Sequence, residues 1–255
     1  MIRIDDIEAS VSENRCVVPG YYLLTIALSK PMPNVLPGQF IMLKVPSTDI
    51  FLRRPFSIYD YRRGKLSVLY KVAGRGTAEL ATAAAGDKIM ALGPLGNGFT
   101  LLKDHQAVLV AGGIGFAGLH MLWSTIRREK PLLFFGCSNS AEASLLHGLV
   151  SCDPHISTLD GSTGCKGNVI DMLAGHISSI PKRFQIFACG PEPMYLSLKK
   201  LLERERTACQ VLVEERMACG LGLCFGCVRK TTDDSEPYKR VCKEGPVFDI
   251  WQISL

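Results

Sequence analysis

Four cysteines near the C-terminus constrain this chain more than any other feature. Cys219, Cys224, Cys227 and Cys242 follow the spacing C-x4-C-x2-C-x14-C, within MACGLGLCFGCVRK and then VCKEG. A loop that brings three thiols into so short a span must wrap something small, and the opening spacing is that of loops holding a [2Fe–2S] cluster. Gly220, Gly222 and Gly226 suit such a loop, because they permit sharp turns and bring backbone N–H groups close to sulfur. A structural zinc site usually shows two close Cys or Cys/His pairs, whereas here only Cys224 and Cys227 form a CxxC. The four cysteines are therefore read as metal ligands. From Val211 onward the chain is too poor in apolar residues to build its own core, so a staple is expected there.

The remaining cysteines bear on compartment. Ten cysteines in 255 residues is a high count, yet MIRIDDIEAS has no basic segment followed by an apolar one. The thiols are expected to stay reduced and the protein to be cytoplasmic. Cys16, Cys137, Cys152, Cys165, Cys189 and Cys209 are isolated and are read as small core residues. Basic residues number 29 and acidic residues 24, without a basic stripe, so nucleic acid is not an expected partner. Ala107–Ile126 carries no formal charge over a membrane-spanning length, but its central glycines and the opening AVLVA read as strand, tight turn and helix. No membrane partner is expected. The five histidines, His105, His120, His147, His155 and His176, lack metal-ligand spacing and are read as structural or surface residues.

Periodicity divides the rest. Up to about Gly98, short β-rich runs at Tyr21–Leu28, Gln39–Val45, Phe56–Tyr59, Leu66–Val72 and Lys88–Leu92 suggest an antiparallel barrel or sandwich. From about Leu101, strand-like Ala107–Ala111, Leu132–Gly136 and Gln185–Ala188 alternate with helix-like Ala117–Arg128, Val169–His176 and Met194–Arg206, which reads as α/β with a parallel sheet. The expected fold class is a mixed β-barrel plus α/β, with an antiparallel barrel over residues 1–100, a parallel-sheet domain over 101–210 and a small iron–sulfur domain over 211–255.

Two segments offer phosphate chemistry. Gly113-Ile-Gly115-Phe-Ala-Gly118 fits G-x-G-x-x-G between a strand and a helix, as a dinucleotide fingerprint requires. The next strand ends in Gly136-Cys-Ser-Asn139, without the usual ribose-binding acid, and no arginine follows it, which leans towards NAD(H). Upstream, Arg53-Arg-Pro-Phe-Ser57 and Gly74-Arg-Gly-Thr77 flank one strand. Arg forks pair with phosphate, short hydroxyls donate to it, and Phe56 or Tyr59 is placed to cover an aromatic ring. Singly, the first pair is also a solvated strand end and the second a Gly-rich hairpin turn.

In this order, RPFS, GRGT, AGGIGFAG and Cys189-Gly-Pro-Glu-Pro-Met194 resemble the ferredoxin–NADP reductase superfamily over nearly the whole chain. Within it, MACGLGLCFGCVRK followed by VCKEGPVF is similar to the electron-transfer subunits of class B, NAD-dependent dihydroorotate dehydrogenases. The resemblance implies FAD and one [2Fe–2S] cluster in this chain and NAD(H) as co-substrate. It also implies a separate FMN-containing catalytic subunit that oxidises dihydroorotate in pyrimidine synthesis, in a heterotetramer with two of each chain. Electrons would pass from that subunit through the cluster and FAD to NAD. Arg54, Pro55, Phe56 and Ser57 would hold FAD, with Gly76 and Thr77 on its phosphates and Tyr70 and Lys71 on the intervening strand. Gly112, Gly113 and Gly115 would face the NAD phosphates, and Cys189, Gly190, Pro191 and Met194 would close over the nicotinamide. No side chain is implied as a catalytic acid or base, and Cys189 is expected to be close to nicotinamide without being catalytic. Four cysteines separate this pattern from the flavin subunits of NADH-dependent ferredoxin–NADP reductases and sulfide dehydrogenases, which tend to place Asp at one cluster position. A zinc-holding nucleotide-binding protein without redox activity is the reading from another class, and it would be colourless.

Overall fold

Strand periodicity organises the first hundred residues. In the computed structural model, which describes residues 4–46, 49–146 and 153–255, the first element is β1, Asp5–Val18. Its Ile7, Ala9 and Val11 are buried while Asp6 and Glu8 face outward, the alternation of a half-buried strand. Then come β2 (Tyr21–Leu28), β3 (Phe40–Lys44), β4 (Arg54–Ser57), β5 (Asp60–Arg62), β6 (Lys65–Lys71), the short helix α1 (Arg75–Leu80) and β7 (Lys88–Leu95). The strands form one antiparallel sheet in the order β4-β3-β7-β1-β2-β6-β5. It curls so that Phe56 of β4 meets Tyr70 of β6, with ring centroids 5.6 Å apart, across a core that includes Ile7, Leu24, Ile41, Leu43, Leu66 and Val68.

The second sheet is parallel. Its strands are β8 (Gln106–Gly112), β9 (Leu132–Cys137), β10 (His155–Thr158), β11 (Cys165–Lys166), β12 (Phe184–Cys189) and β13 (Cys209–Leu212), with helices α2 (Phe116–Ile126), α3 (Ser140–Ala143), α4 (Val169–His176) and α5 (Glu192–Leu202). Central strand β8 is apolar and buried from Ala107 to Ala111 because helices cover both of its faces. Val108 and Val110 pack with Leu173 of α4 and Leu198 of α5, whereas Leu109 and Ala111 pack with Phe116, Leu119 and Leu122 of α2. The uncharged run Ala107–Ile126 thus divides into strand, turn and helix, and no helix among the described residues is long and apolar enough to cross a membrane.

The tail borrows its core. A hairpin, β14 (Val228–Lys230) with β15 (Tyr238–Arg240), precedes β16 (Val247–Asp249), which pairs antiparallel with β13. The full order of this sheet is β11-β10-β9-β8-β12-β13-β16, and β13 itself straddles residue 210. Cys227, Val241, Cys242, Phe248, Ile250 and Ile253 join one core with Phe40, Met42 and Leu95 of the first sheet, Ile186 of the second and Leu198 of α5. Asn97 pins the tail to the barrel, donating to the carbonyls of Glu244 (3.0 Å) and Val247 (2.9 Å).

The isolated cysteines divide. Cys137, Cys189 and Cys209 are buried as expected, but Cys16 and Cys165 are exposed. Neither sits on the inward side of its strand, and a period-two pattern alone does not choose the side. Cys152 and His147 lie outside the described residues.

Candidate cofactor sites

A cavity of about 980 Å³ opens between the barrel and the start of α2. Arg54, Pro55, Phe56 and Ser57 of β4, with Tyr70 and Lys71 of β6, form one wall, and Ile114, Ala117 and residues 212–217 form the other. Pro55 is tolerated because β4 is an edge strand, where a missing N–H costs no ladder bond. Arg54 donates to the Leu52 carbonyl at 2.9 Å, and its guanidinium lies over Gly76, where a Cβ would come within 2.6 Å of Nε. Glycine is needed there for that close approach. Thr77 does not line this cavity. Its hydroxyl accepts from the Ala73 and Gly74 amides (2.9 and 3.2 Å) and shapes the turn into α1, so the GRGT segment opens a helix and is not a hairpin turn.

Tyr70 is buried between Tyr22 and Phe56 and donates to Asn14 Oδ1 at 3.2 Å. Phe56 remains half-buried at the cavity wall. The expectation that Tyr59 offers an alternative ring cover is corrected: Tyr59 is only 4% exposed and stacks on His120 with centroids 3.7 Å apart. A fixed guanidinium, a short hydroxyl and an accessible aromatic face fit a group with a pyrophosphate and a flat ring system.

A second cavity, of about 480 Å³, lies across the ends of the parallel strands. Gly112, Gly113, Pro191 and Met194 line it, together with Ile114 and Lys71, which also line the first cavity. Gly115 is spent differently: a Cβ there would come within 2.2 Å of the Cys189 carbonyl oxygen, so its absence lets α2 start hard against the end of β12. Gly190 lies against Met194, and its amide donates at 2.9 Å to the Tyr195 hydroxyl, which in turn donates to the Leu212 carbonyl at 2.6 Å. This fixes the 189–194 loop on β13. Cys189 is 1% exposed, and burial pushes its thiol well above the usual range, which suits a packing thiol and not a nucleophile.

Sequence reasoning missed Glu142, the acid of this cavity. Asn139 caps α3 by accepting from the Glu142 amide at 3.1 Å, and that Asn-x-x-Glu spacing was the available signal. Tyr21 of β2 donates to Glu142 Oε1, as does Lys71 of β6 at 3.2 Å, while the Ser138 amide donates to Oε2 at 2.9 Å. Burial alone would raise this carboxyl, but the hydrogen bonds from Tyr21, Ser138 and Lys71 outweigh it and hold the group down to about 2. The folded value lies below the ordinary 4.5, so the tie between barrel and α/β domain contributes stability that is present above pH 4.5 and lost as pH falls towards 2. Urea unfolding of wild type and Tyr21→Phe between pH 6 and pH 3 is expected to show a shallower acid loss in the variant. Parallel curves would remove the tie from the stability account. Glu214, on the wall of the first cavity, was also missed, because the segment after β13 carries no motif.

The cysteine loop follows directly on that wall. Met217 lines the first cavity, and Cys219 is two residues further along. Cys219 neighbours Cys224, and Cys227 neighbours Cys242, whose backbone amide donates to the Cys227 sulfur at 3.4 Å. Cys227 and Cys242 are buried, Cys219 is half-buried and Cys224 is exposed. Loop amides aim at the sulfurs: Leu221 at Cys219 (3.4 Å), Gly222 at Cys242 (3.1 Å) and Gly226 at Cys224 (3.5 Å). Burial would raise Cys219, but the amides of Leu221, Cys224 and Leu223 outweigh it and pull the thiol down. Arg240 braces the loop by donating to the Gly222 carbonyl at 2.9 Å, pairing with Glu244 and lying over the Phe225 ring at 4.9 Å. Two thiol pairs with amides directed at sulfur fit a two-iron core, in which each iron takes two thiolates.

Comparison with known proteins agrees with this arrangement. Residues 214–254 match the family model described as the iron–sulfur cluster binding domain of dihydroorotate dehydrogenase B. The dihydroorotate dehydrogenase B (NAD(+)) electron transfer subunit of Caldanaerobacter subterraneus subsp. tengcongensis is 35% identical over 94% of this chain and 95% of its own length. This chain belongs to that family of electron transfer subunits. The family's Geobacillus kaustophilus member is 36% identical over 96% of this chain and 97% of its own. An NADH-dependent reduced ferredoxin–NADP oxidoreductase has the same fold, with a TM-score of 0.82 at 22% identity over 96% of this chain and 89% of the other. Phthalate dioxygenase reductase shares it at a TM-score of 0.65 and 14% identity, over 93% and 94%.

Proposed function

We propose that this chain holds FAD and one [2Fe–2S] cluster between NAD(H) and an FMN-containing subunit that oxidises dihydroorotate, in a cytoplasmic complex with two of each chain. One observation carries the reading: the segment walling the first cavity, residues 212–217, runs directly into Cys219, so the flavin and cluster sites are parts of one continuous support. FAD, when bound, supplies the chemistry that exchanges hydride with a nicotinamide and single electrons with an iron–sulfur centre.

Arg54 and Ser57 hold the flavin's phosphates and ring edge, Gly76 gives Arg54 its position, and Thr77 shapes the turn beside them. Phe56 covers the ring, Tyr70 buttresses Phe56, and Lys71 stands where the two cavities meet. Gly112 and Gly113 let the NAD phosphates approach the backbone, and Gly115 seats α2. Cys189, Gly190, Pro191 and Met194 form the nicotinamide side without a catalytic acid or base. Cys219, Cys224, Cys227 and Cys242 would hold the cluster as thiolates.

On this reading the two cavities are taken by FAD and NAD(H), so substrate oxidation is assigned to the partner. The cluster loop presents Leu223 at 76% and Phe225 at 60% exposure, beside Leu221, and we place the partner there. Alone, the chain is expected to oxidise NADH with an artificial acceptor and to leave dihydroorotate untouched. Co-expressed with the FMN subunit, it is expected to form a stable complex that reduces NAD with dihydroorotate. Leu223→Asp should weaken that complex about tenfold or more, since it buries a charge at an apolar contact, while NADH oxidation by the isolated chain stays unchanged. Dihydroorotate oxidation by the isolated chain would overturn the partner assignment, and an unaffected Leu223→Asp complex would overturn the docking surface.

A further inference from the structure

The second cavity is chemically spare. Among the described residues that line it, Lys71 is the one cation and Glu142 the one acid. They are bonded to each other, and Tyr21, the direct cross-strand partner of Lys71 in the β2–β6 pair, shares the same carboxylate oxygen. Two barrel residues therefore fix an acid that belongs to the α/β domain.

We propose that Glu142 is the specificity-determining residue that makes this site accept NAD(H) and reject NADP(H). The inference rests on the nicotinamide reading of the cavity. The two nucleotides differ only by a 2′-phosphate, and a site that takes this group supplies it with a cation or with free N–H donors. Here Glu142 occupies both kinds of group: its Oε1 holds the Lys71 ammonium at 3.2 Å, and its Oε2 holds the Ser138 amide at 2.9 Å. A phosphate entering beside them meets a fixed carboxylate and, among the described lining residues, no cation outside that pair, the like-charge juxtaposition that suppresses a wrong partner. A sugar hydroxyl is treated differently. It brings no charge against the carboxylate and can donate to it. Lys71 and the Ser138 amide each hold one carboxylate oxygen, so the group keeps its place when the Tyr21 hydroxyl alone is removed.

The test is calorimetric binding of NAD⁺ and NADP⁺ to the full flavin-loaded chain, with anaerobic flavin bleaching by NADH and NADPH as a second readout. Wild type is expected to prefer NAD⁺. Glu142→Gln, which removes the charge and retains the shape, is expected to raise NADP⁺ affinity about tenfold or more and leave NAD⁺ affinity within about threefold. Tyr21→Phe keeps the carboxylate and is expected to leave the ratio of the two affinities within about threefold. An equal change in both nucleotides on Glu142→Gln overturns the proposal, because a purely structural role would move them together. So does a Tyr21→Phe ratio shifted as far as that of Glu142→Gln, or a wild type that binds both nucleotides equally. Wild type binding neither nucleotide, with flavin that neither bleaches, overturns the nicotinamide reading itself.

Discussion

Replacing Cys227 by serine is expected to leave a protein that keeps its flavin and loses its iron. Cys227 is 2% exposed and packs in the shared core with Val241, Ile250 and Ile253, and of the four candidate ligands it and Cys242 are the buried ones. A hydroxyl there is a poor ligand for a two-iron core, so iron should fall from about two per chain to near zero, and the signal of the reduced cluster should vanish from the electron paramagnetic resonance spectrum. Thermal stability should fall as well, because the buried hydroxyl has no assured partner, a loss of about 1–3 kcal/mol. The tail also contributes β16 to the parallel sheet, so its loosening reaches beyond the cluster. NADH should still bleach the flavin, since the walls built by β4, β6 and α2 are untouched. Joint loss of flavin and fold would mean that the cluster supports the whole molecule and not chiefly the segment after β13.

Gly76→Ala is expected to empty the flavin site with little change to the barrel. The added Cβ falls 2.6 Å from Arg54 Nε, and moving that guanidinium removes the charge-assisted pair to a phosphate. Such a pair contributes about 1.5–3 kcal/mol, so flavin should bind roughly 10- to 100-fold more weakly. Flavin content after gel filtration measures the loss, and chromatography of acid-released flavin identifies it as FAD. Arg54→Lys should not restore binding, because a point charge does not reproduce the planar fork. Equimolar FAD in both variants would remove Arg54 from the site.

The cysteine loop was legible because its spacing is local, with three of the four thiols close together in the sequence. The same holds for β2 and α4, whose expected bounds, Tyr21–Leu28 and Val169–His176, are the observed ones. Hydrophobic period and flanking turns act within a few residues. β1 was not legible. Its apolar residues are small or sparse and interrupted by acids, and two register shifts break the alternation at Val11/Glu13 and Cys16/Val18. It is a strand because β2 and β7 flank it on both sides. α1 was hidden for a related reason, since RGTAEL is too short to show a helical period and its buried Leu80 finds its place only in the barrel core.

The sequence by itself determined the order of the parts: a β-rich half, a glycine fingerprint between strand and helix, and a closely spaced cysteine loop. These depend on contacts between near neighbours along the chain. Only the tertiary structure decided that Tyr59 is spent on His120, that Thr77 shapes a turn, and that β16 closes the edge of the parallel sheet. It also decided the fate of the acid that seemed to be missing after the second parallel strand. Glu142 stands a turn of helix later, and its partners Tyr21 and Lys71 are 121 and 71 residues away. A carboxylate's charge, reach and hydrogen bonds are set by whatever packs around it, and no local pattern encodes a neighbour that distant.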